Sequence, residues 1–333
     1  MSSSDSIGPI RPPSEAYSLL VRITENCPWN RCAFCSVYKG QRFRVRPLEE
    51  VKADIIAARG LVDEVSAWAE RTGYGIGNIA RLNGILWLED DGVKSVFLQD
   101  SDSLVVKTEQ LAEIVELLRE TFPTLDRVCS YVRGKTLSRK KPEELRRLRE
   151  AGLSRLHVGL ETGDDELLAY VNKGATAEEM IQGGKKAVEA GFEVSEYIMP
   201  GLGGRERWQQ HAKNSARVLN EINPHFIRLR SFRPTPRTQM YEKARSEEFH
   251  VQSIGGILKE IRVFVENLEV TSELITSDFA VNSYMGEIDG KLPEDKERLL
   301  ELFDSMIEYW RTTGESKRNP FFRRLDPESG NQE

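Results

Sequence analysis

Residues 17–35 read YSLLVRITENCPWNRCAFC. The first part, 17–24, is short, apolar and β-branched, the pattern of a buried strand. The second part follows directly and carries Cys27, Cys32 and Cys35, three of the chain's four cysteines. Parallel α/β barrels place their chemistry in loops at the C-terminal ends of strands. A strand running straight into a thiol-rich loop therefore predicts a parallel α/β fold with its site at the strand ends. Four residues separate Cys27 from Cys32 and two separate Cys32 from Cys35. Three thiolates so close on one loop can converge on a single soft metal centre. A structural zinc site usually fills four protein positions. Only Cys129 offers a fourth sulfur here, and His157, His211, His225 and His250 are scattered. A cubane iron–sulfur cluster with three protein ligands leaves one iron open. The cysteines alone thus fit a three-thiolate cluster, a zinc site with a distant fourth ligand, or reduced thiols without metal.

Working outward, the same strand-then-helix rhythm recurs. A helix opens at Pro47 and continues to about residue 71, with Val51, Ile55 and Ile56 apolar. Gly73-Tyr74-Gly75-Ile76-Gly77 follows a helix rather than a strand, so a dinucleotide-binding reading lacks its context and a loop in an insertion is expected. A second strand at 94–98 leads into Gln99-Asp100-Ser101-Asp102, and Thr108 is expected to cap the next helix. Further strands are expected at 126–131, 155–160, 192–199 and 226–232, with helices between them. Gly152 closes one helix, and Thr176 and Glu179 form a capping box for another. Six strands alternating with helices imply an α/β fold, a partial parallel (βα)6 TIM-like barrel. Beyond it lie helices at about 239–248 and 251–268, a strand at 270–277, and an amphipathic helix at 293–312 with Pro293 in its first turn. Residues 278–284 (DFAVNSY) are expected to close one end of the barrel. The expected organisation is a flexible lead (1–16), a core barrel (17–240), a mostly helical C-terminal extension packing on it (241–313) and a polar tail (314–333).

Side chains alternate along a strand, so Arg228 and Arg230 share one face. If that face is the barrel lumen, they form a cationic pocket for a carboxylate or phosphate, and Ile227 and Leu229 face the covering helices; if it faces outward, they are solvated surface. Arg233 is a weaker candidate.

The chain has 333 residues, enough for one large barrel or two ordinary domains, and 39% of them are hydrophobic. With 47 basic and 53 acidic residues the net charge is −6, which provides no overall attraction to nucleic acid or anionic membrane. Four cysteines, three of them clustered, are not a disulfide framework and point to a reducing cytoplasm. The Ser/Pro-rich start has no apolar segment of a signal peptide, and no apolar run approaches the roughly 18 residues needed to span a bilayer.

The loop CPWNRCAFC resembles the cluster loop of the radical S-adenosylmethionine (radical SAM) superfamily, with Phe34 as the aromatic residue typical before the last cysteine. The usual family spacing has three residues between the first two cysteines; this chain has four. The run at 148–174, LREAGLSRLHVGLETGDDELLAYVNKG, is similar to the corresponding part of oxygen-independent coproporphyrinogen oxidases and Elongator-type radical SAM proteins. The resemblance covers about 17–240. It implies a [4Fe–4S] cluster on Cys27, Cys32 and Cys35, with S-adenosylmethionine (SAM) chelating the open iron. It implies Glu161 as a polar SAM contact. Lys173 takes the place of a family arginine near the SAM carboxylate. Asp100, Ser101 and Asp102 match, by position and acidity, the residues that hold the methionine amino group, although the family's glycines are absent. Gly201 and Gly203 would pass beside the adenosine. As plain alternatives, Asp100–Asp102 is an acidic turn, Glu161 a strand-end cap, and Lys173 a cation at a helix C-terminus.

The implied activity is reductive cleavage of SAM to a 5′-deoxyadenosyl radical, which abstracts hydrogen from an unidentified substrate; the expectation that this substrate is anionic rests on Arg228 and Arg230 alone. A flavodoxin- or ferredoxin-type electron donor follows from it. Two other classes fit the same residues: a non-catalytic SAM- or iron–sulfur-binding protein, and a zinc-bound structural protein using Cys27, Cys32, Cys35 and Cys129. Reaction subtype, general acid–base residues and oligomeric state are not specified by these motifs.

Overall fold

The computed structural model describes residues 8–277 and 288–313. Its centre is one sheet in which seven strands pair in chain order, each parallel to the next. They are β1 (Leu19–Arg22), β2 (Ser95–Gln99), β3 (Arg127–Val132), β4 (Arg155–Glu161), β5 (Glu193–Ile198), β6 (Phe226–Leu229) and β7 (Glu273–Ile275). A short β8 (Gly290–Lys291) adds antiparallel to β7. All six expected strands are present. The strand expected at 270–277 joins the same sheet as β7, so 241–313 extends the sheet as well as covering it.

Helices fill the crossovers as parallel pairing requires. They are α1 (Leu48–Thr72), α2 (Ile76–Leu82), α3 (Thr108–Thr121), α4 (Gly134–Arg139), α5 (Pro142–Ala151), α6 (Asp165–Tyr170), α7 (Ala177–Glu189), α8 (Gly204–Ile222), α9 (Gln239–Arg245), α10 (Ile254–Glu266) and α11 (Lys296–Thr313). The Thr176–Glu179 capping box forms as expected, and Gly73 and Gly152 end their helices in the left-handed region. Three expected details differ. The loop expected at Gly73–Gly77 ends at Gly75, because Ile76 and Gly77 open α2. Thr108 is not a cap; its hydroxyl reaches across to Glu144 Oε1 on α5 at 2.7 Å. Pro293 precedes α11, which starts at Lys296.

The alternation of strand side chains decides where the core lies. Val21, Val96, Leu98, Val128, Leu156 and Val158 face outward and are buried with Ile55, Leu111 and Leu145 from the helices. Leu160, Ile198, Ile227, Leu229 and Leu274 do the same with Leu219, Leu258 and Phe303. Each such side chain contributes about 1.5–3 kcal/mol on burial. The inward face carries rings instead. Phe97 meets Tyr131 at 5.0 Å, Tyr131 meets His157 at 6.0 Å, and His157 meets Tyr197 at 6.0 Å between centroids.

The N-terminal segment corrects the expectation of a flexible lead from residue 8 onward. Gly8 N–H donates to Gln99 Oε1 at 2.8 Å, and Gln99 Nε2 donates to Ile10 O at 2.8 Å. Pro13–Glu15 form a 3₁₀ turn that buries Glu15 completely at the N-terminal ends of the strands. There Glu15 accepts from Ser18 Oγ at 2.7 Å and pairs with Arg127 at 3.1 Å. The expected closure by 278–284 and the polar tail at 314–333 lie outside the described residues.

Candidate metal centre

The cysteine loop is an excursion from the end of β1. Thr24–Glu25 leaves and Arg44–Val45 returns antiparallel beside it. Asp100, just after the neighbouring β2, holds both arms. Its buried Oδ2 accepts from Arg22 Nε at 3.1 Å, from Arg22 Nη2 at 2.8 Å and from the Asn26 N–H at 3.0 Å. Its Oδ1 accepts from the Tyr38 hydroxyl at 3.2 Å. Burial, and then the Asp100 charge, keep that phenol protonated and a donor. Ser101 Oγ adds a bond to Asn26 O at 3.2 Å.

The front of the loop docks on the segment after α6. Ala33 N–H donates to Val171 O at 2.8 Å and Trp29 Nε1 donates to Asn172 O at 2.7 Å. The guanidinium groups of Arg31 and Arg133 stand 5.1 and 5.3 Å from the Trp29 ring. This docking brings Lys173 to 5.9 Å from the Phe34 ring. Lys173 Nζ also lies 3.0 Å from Glu161 Oε1. Glu161 is aimed there by a β-bulge: the β4–β5 register shifts between Gly159 and Glu161, and Glu161 has φ 66°. A Cβ on Gly159 would sit 2.5 Å from Glu161 Oε1 and 3.0 Å from Lys173 Nζ, so any side chain there would displace the ends of this pair.

Electrostatics ties these groups into one site. Burial pushes the Cys32 thiol up; Lys173 opposes this, and Cys35, Glu161 and Cys27 add to it. Burial would lower Lys173, but Glu161 and Cys32 outweigh it and the net shift is upward, so Lys173 is an ammonium. Lys173 is thus ion-paired with Glu161, and its charge favours the ionised form of Cys32 against burial.

The other expected site residues fall differently. Asp102 is fully buried, with Oδ2 accepting from Thr136 at 2.6 Å, Oδ1 without a partner, and burial pushing its carboxyl up to about 7. Asp100 and Asp102 thus face protein groups, and Ser101 between them stays partly exposed. Gly201 has φ 87°, and a Cβ there would meet Ile257 at 3.3 Å; one on Gly203 would meet Arg207 O at 3.0 Å. Packing against α10 and α8 accounts for both glycines. The Gly201 N–H donates to buried Glu260 Oε1 at 2.8 Å. Arg228 and Arg230 take the inward face, since Ile227 and Leu229 are buried against helices. Arg228 Nε donates to Ser195 Oγ at 3.1 Å. Arg230 is exposed, and its charge acts on Tyr131 and Tyr197. Asn26, Trp29, Tyr38, Arg22 and Glu15 were not singled out by motif; Trp29 lay within the quoted loop, but its partner did not.

Cys129 stands apart from the loop. It lies on β3 with Glu15 and His157, their ligand atoms within 4.8 Å of one another, at the opposite end of the strands. This overturns its role as a fourth ligand to the loop cysteines. A cation is disfavoured there too, because Arg127 at 3.1 Å and Arg155 at 4.0 Å already neutralise Glu15. The soft donors left on the loop are three partly exposed thiols, with the Cys32 thiol feeling the charges of the other two and of the Lys173 ammonium. That donor set fits a thiolate-ligated cluster.

Comparison with known proteins agrees. The model of the radical SAM superfamily matches residues 21–213. The chain is 22% identical over 171 residues to the heme chaperone HemW of Bacillus subtilis, covering 51% of this chain and 45% of that protein. It is 26% identical over 170 residues to the GTP 3′,8-cyclase of Peptoclostridium acidaminophilum, covering 50% of each. The chain spans about half the length of these curated relatives. Among solved structures, coproporphyrinogen III oxidase from Escherichia coli aligns with a TM-score of 0.44 and 15% identity, over 79% of this chain and 63% of that one. No helix among the described residues is long and apolar enough to cross a membrane. The family match covers more than half of the chain and includes every loop cysteine: the chain belongs to the radical SAM superfamily, whose enzymes use a [4Fe–4S] cluster and SAM.

Proposed function

We propose that this chain cleaves SAM reductively and directs the radical produced onto an anionic substrate held on the inward face of the sheet. The supporting observation is the Lys173–Glu161 pair, 3.0 Å apart beside the three-thiol loop at the strand ends. When bound to Cys27, Cys32 and Cys35, the cluster supplies the electron that breaks the carbon–sulfur bond of SAM. Lys173 then offers an ammonium to the methionine carboxylate, and Glu161 a carboxylate to its amino group. An α-amino acid moiety presents one charge for each, and burial of Lys173 strengthens both contacts. Ser101 and the backbone at Gly201 and Gly203 border the same strand-end face. Arg230, exposed at the end of β6, draws a carboxylate or phosphate inward, Arg228 adds its charge from a buried position on Ser195, and the ring layer of Phe97, Tyr131, His157 and Tyr197 excludes water. A flavodoxin- or ferredoxin-type carrier is the proposed electron donor.

The test is anaerobic. The protein is reconstituted with iron and sulfide, reduced with dithionite and given SAM. 5′-Deoxyadenosine that forms in the wild type and disappears when Cys27, Cys32 and Cys35 are changed to Ala is the expected result. A fully loaded protein that binds SAM and forms none with any compound tested points to the non-catalytic reading. Carboxylates and phosphates are then screened for stimulation of 5′-deoxyadenosine formation. Stimulation lost in Arg228→Gln/Arg230→Gln, with unstimulated cleavage unchanged, supports the anion site; stimulation that survives the double change refutes it.

A further inference from the structure

The loop between Cys27 and Cys32 has one residue more than the spacing usual in the family. We propose that Asn30 is the positioning residue that absorbs this extra residue and keeps the thiols in register for the metal centre. The proposal rests on the cluster reading above. Trp29 and Ala33 are anchored to consecutive carbonyls, Asn172 O and Val171 O, so 30–32 must bridge two fixed points. The chain does this by a left-handed turn. Asn30 has φ 46°, and Asn26 on the other side of Cys27 has φ 68°. Asparagine is among the few non-glycine residues that visit this region readily.

The turn is then locked from every side. Asn30 Nδ2 donates to Tyr38 O at 2.6 Å and to Gln41 O at 3.2 Å, joining the front of the loop to its returning arm. Lys39 Nζ donates to Asn30 O at 3.1 Å and to Cys32 O at 3.0 Å. The Asn30 N–H donates to Cys27 Sγ at 3.4 Å. Tyr38 in turn reaches Asp100. The added residue is therefore a built kink whose N–H, carbonyl and side-chain NH₂ are all paired, not slack.

Three variants test this: Asn30→Gly, Asn30→Ala and Asn30→Asp. Glycine keeps the left-handed backbone and loses only the side-chain bridge. Alanine loses the bridge and strains the turn. Aspartate tolerates the turn but sets a carboxylate against two carbonyl oxygens. Amide hydrogen exchange across 26–41 is measured on metal-free protein. Iron and sulfide per chain and the midpoint potential are measured after anaerobic reconstitution. Exchange is expected to quicken roughly ten-fold in the glycine variant from the lost bonds. It should quicken roughly ten-fold further in the alanine variant from backbone strain. Loading should fall in the same order, with aspartate no better than alanine. The fraction of the alanine variant that loads should show a lower potential, because the N–H bond to Cys27 sulfur stabilises the reduced state; the glycine variant should not. Wild-type exchange and loading in all three variants would overturn the proposal. A wild type that takes no iron or sulfide, with the exchange order intact, would sink the cluster reading and leave the loop lock standing.

Discussion

Asp100→Asn and Asp100→Ala separate two roles for one carboxylate: a contact to SAM, as the family resemblance implies, and the anchor of the cysteine loop, as its hydrogen bonds imply. Alanine removes the acceptor for Arg22, the Asn26 amide and the Tyr38 hydroxyl at once. The Arg22 side chain is only 13% exposed, so its charge is stranded with little water to solvate it. Breaking such a pair from one side costs about 3–5 kcal/mol. Asparagine keeps one oxygen, which can serve Arg22 and Asn26, and turns its NH₂ toward Tyr38. The loss is then the charge and one bond, about 1.5–3 kcal/mol. Urea unfolding of metal-free protein measures the first quantity, and iron and sulfide per chain after reconstitution measure the second. The expected order in both is wild type, then asparagine, then alanine, and the loaded fraction of the asparagine variant should bind SAM as the wild type does. An asparagine variant with wild-type stability and loading but weakened SAM binding would refute the anchor reading.

Glu15 predicts a pH effect. Burial raises its carboxyl, but the bond to His157 and the charge of Arg127 outweigh this and lower it from 4.5 to about 2. Burial also favours neutral His157, so Arg127 carries the opposing charge. A folded-state value below the unfolded one contributes stability above pH 4.5, at most about 3 kcal/mol, which disappears as pH falls towards 2. The difference in unfolding free energy between the wild type and Glu15→Gln should shrink across that window; a constant difference from pH 6 to 2 would contradict it. Gly174→Ala should also destabilise the protein, because Gly174 has φ 71° and a Cβ would lie 2.3 Å from the Trp29 ring. The backbone alone costs about 1–2 kcal/mol. Displacing Trp29 should lower iron loading as well, and unchanged loading would argue against this docking.

The six parallel strands, the longer helices between them and the three-thiol loop were legible in the residues alone; the short α2 and α4 were not. Apolar periodicity, glycine stops and cysteine spacing are local properties, each readable within a dozen residues. That Arg228 and Arg230 share one face was legible for the same reason, as strand parity is local too; which face it is depends on the packing of Ile227 and Leu229 against the helices. What only the tertiary structure decided are pairings between distant segments. Asp100 holds Asn26 from 74 residues away, Trp29 reaches Asn172 across 143, and Glu15 meets His157 across 142. No short pattern records such a partner. A buried carboxylate at position 15 or 100 reads in sequence like any solvated one. Its role comes from which donors the folded chain brings to it in a place water cannot reach.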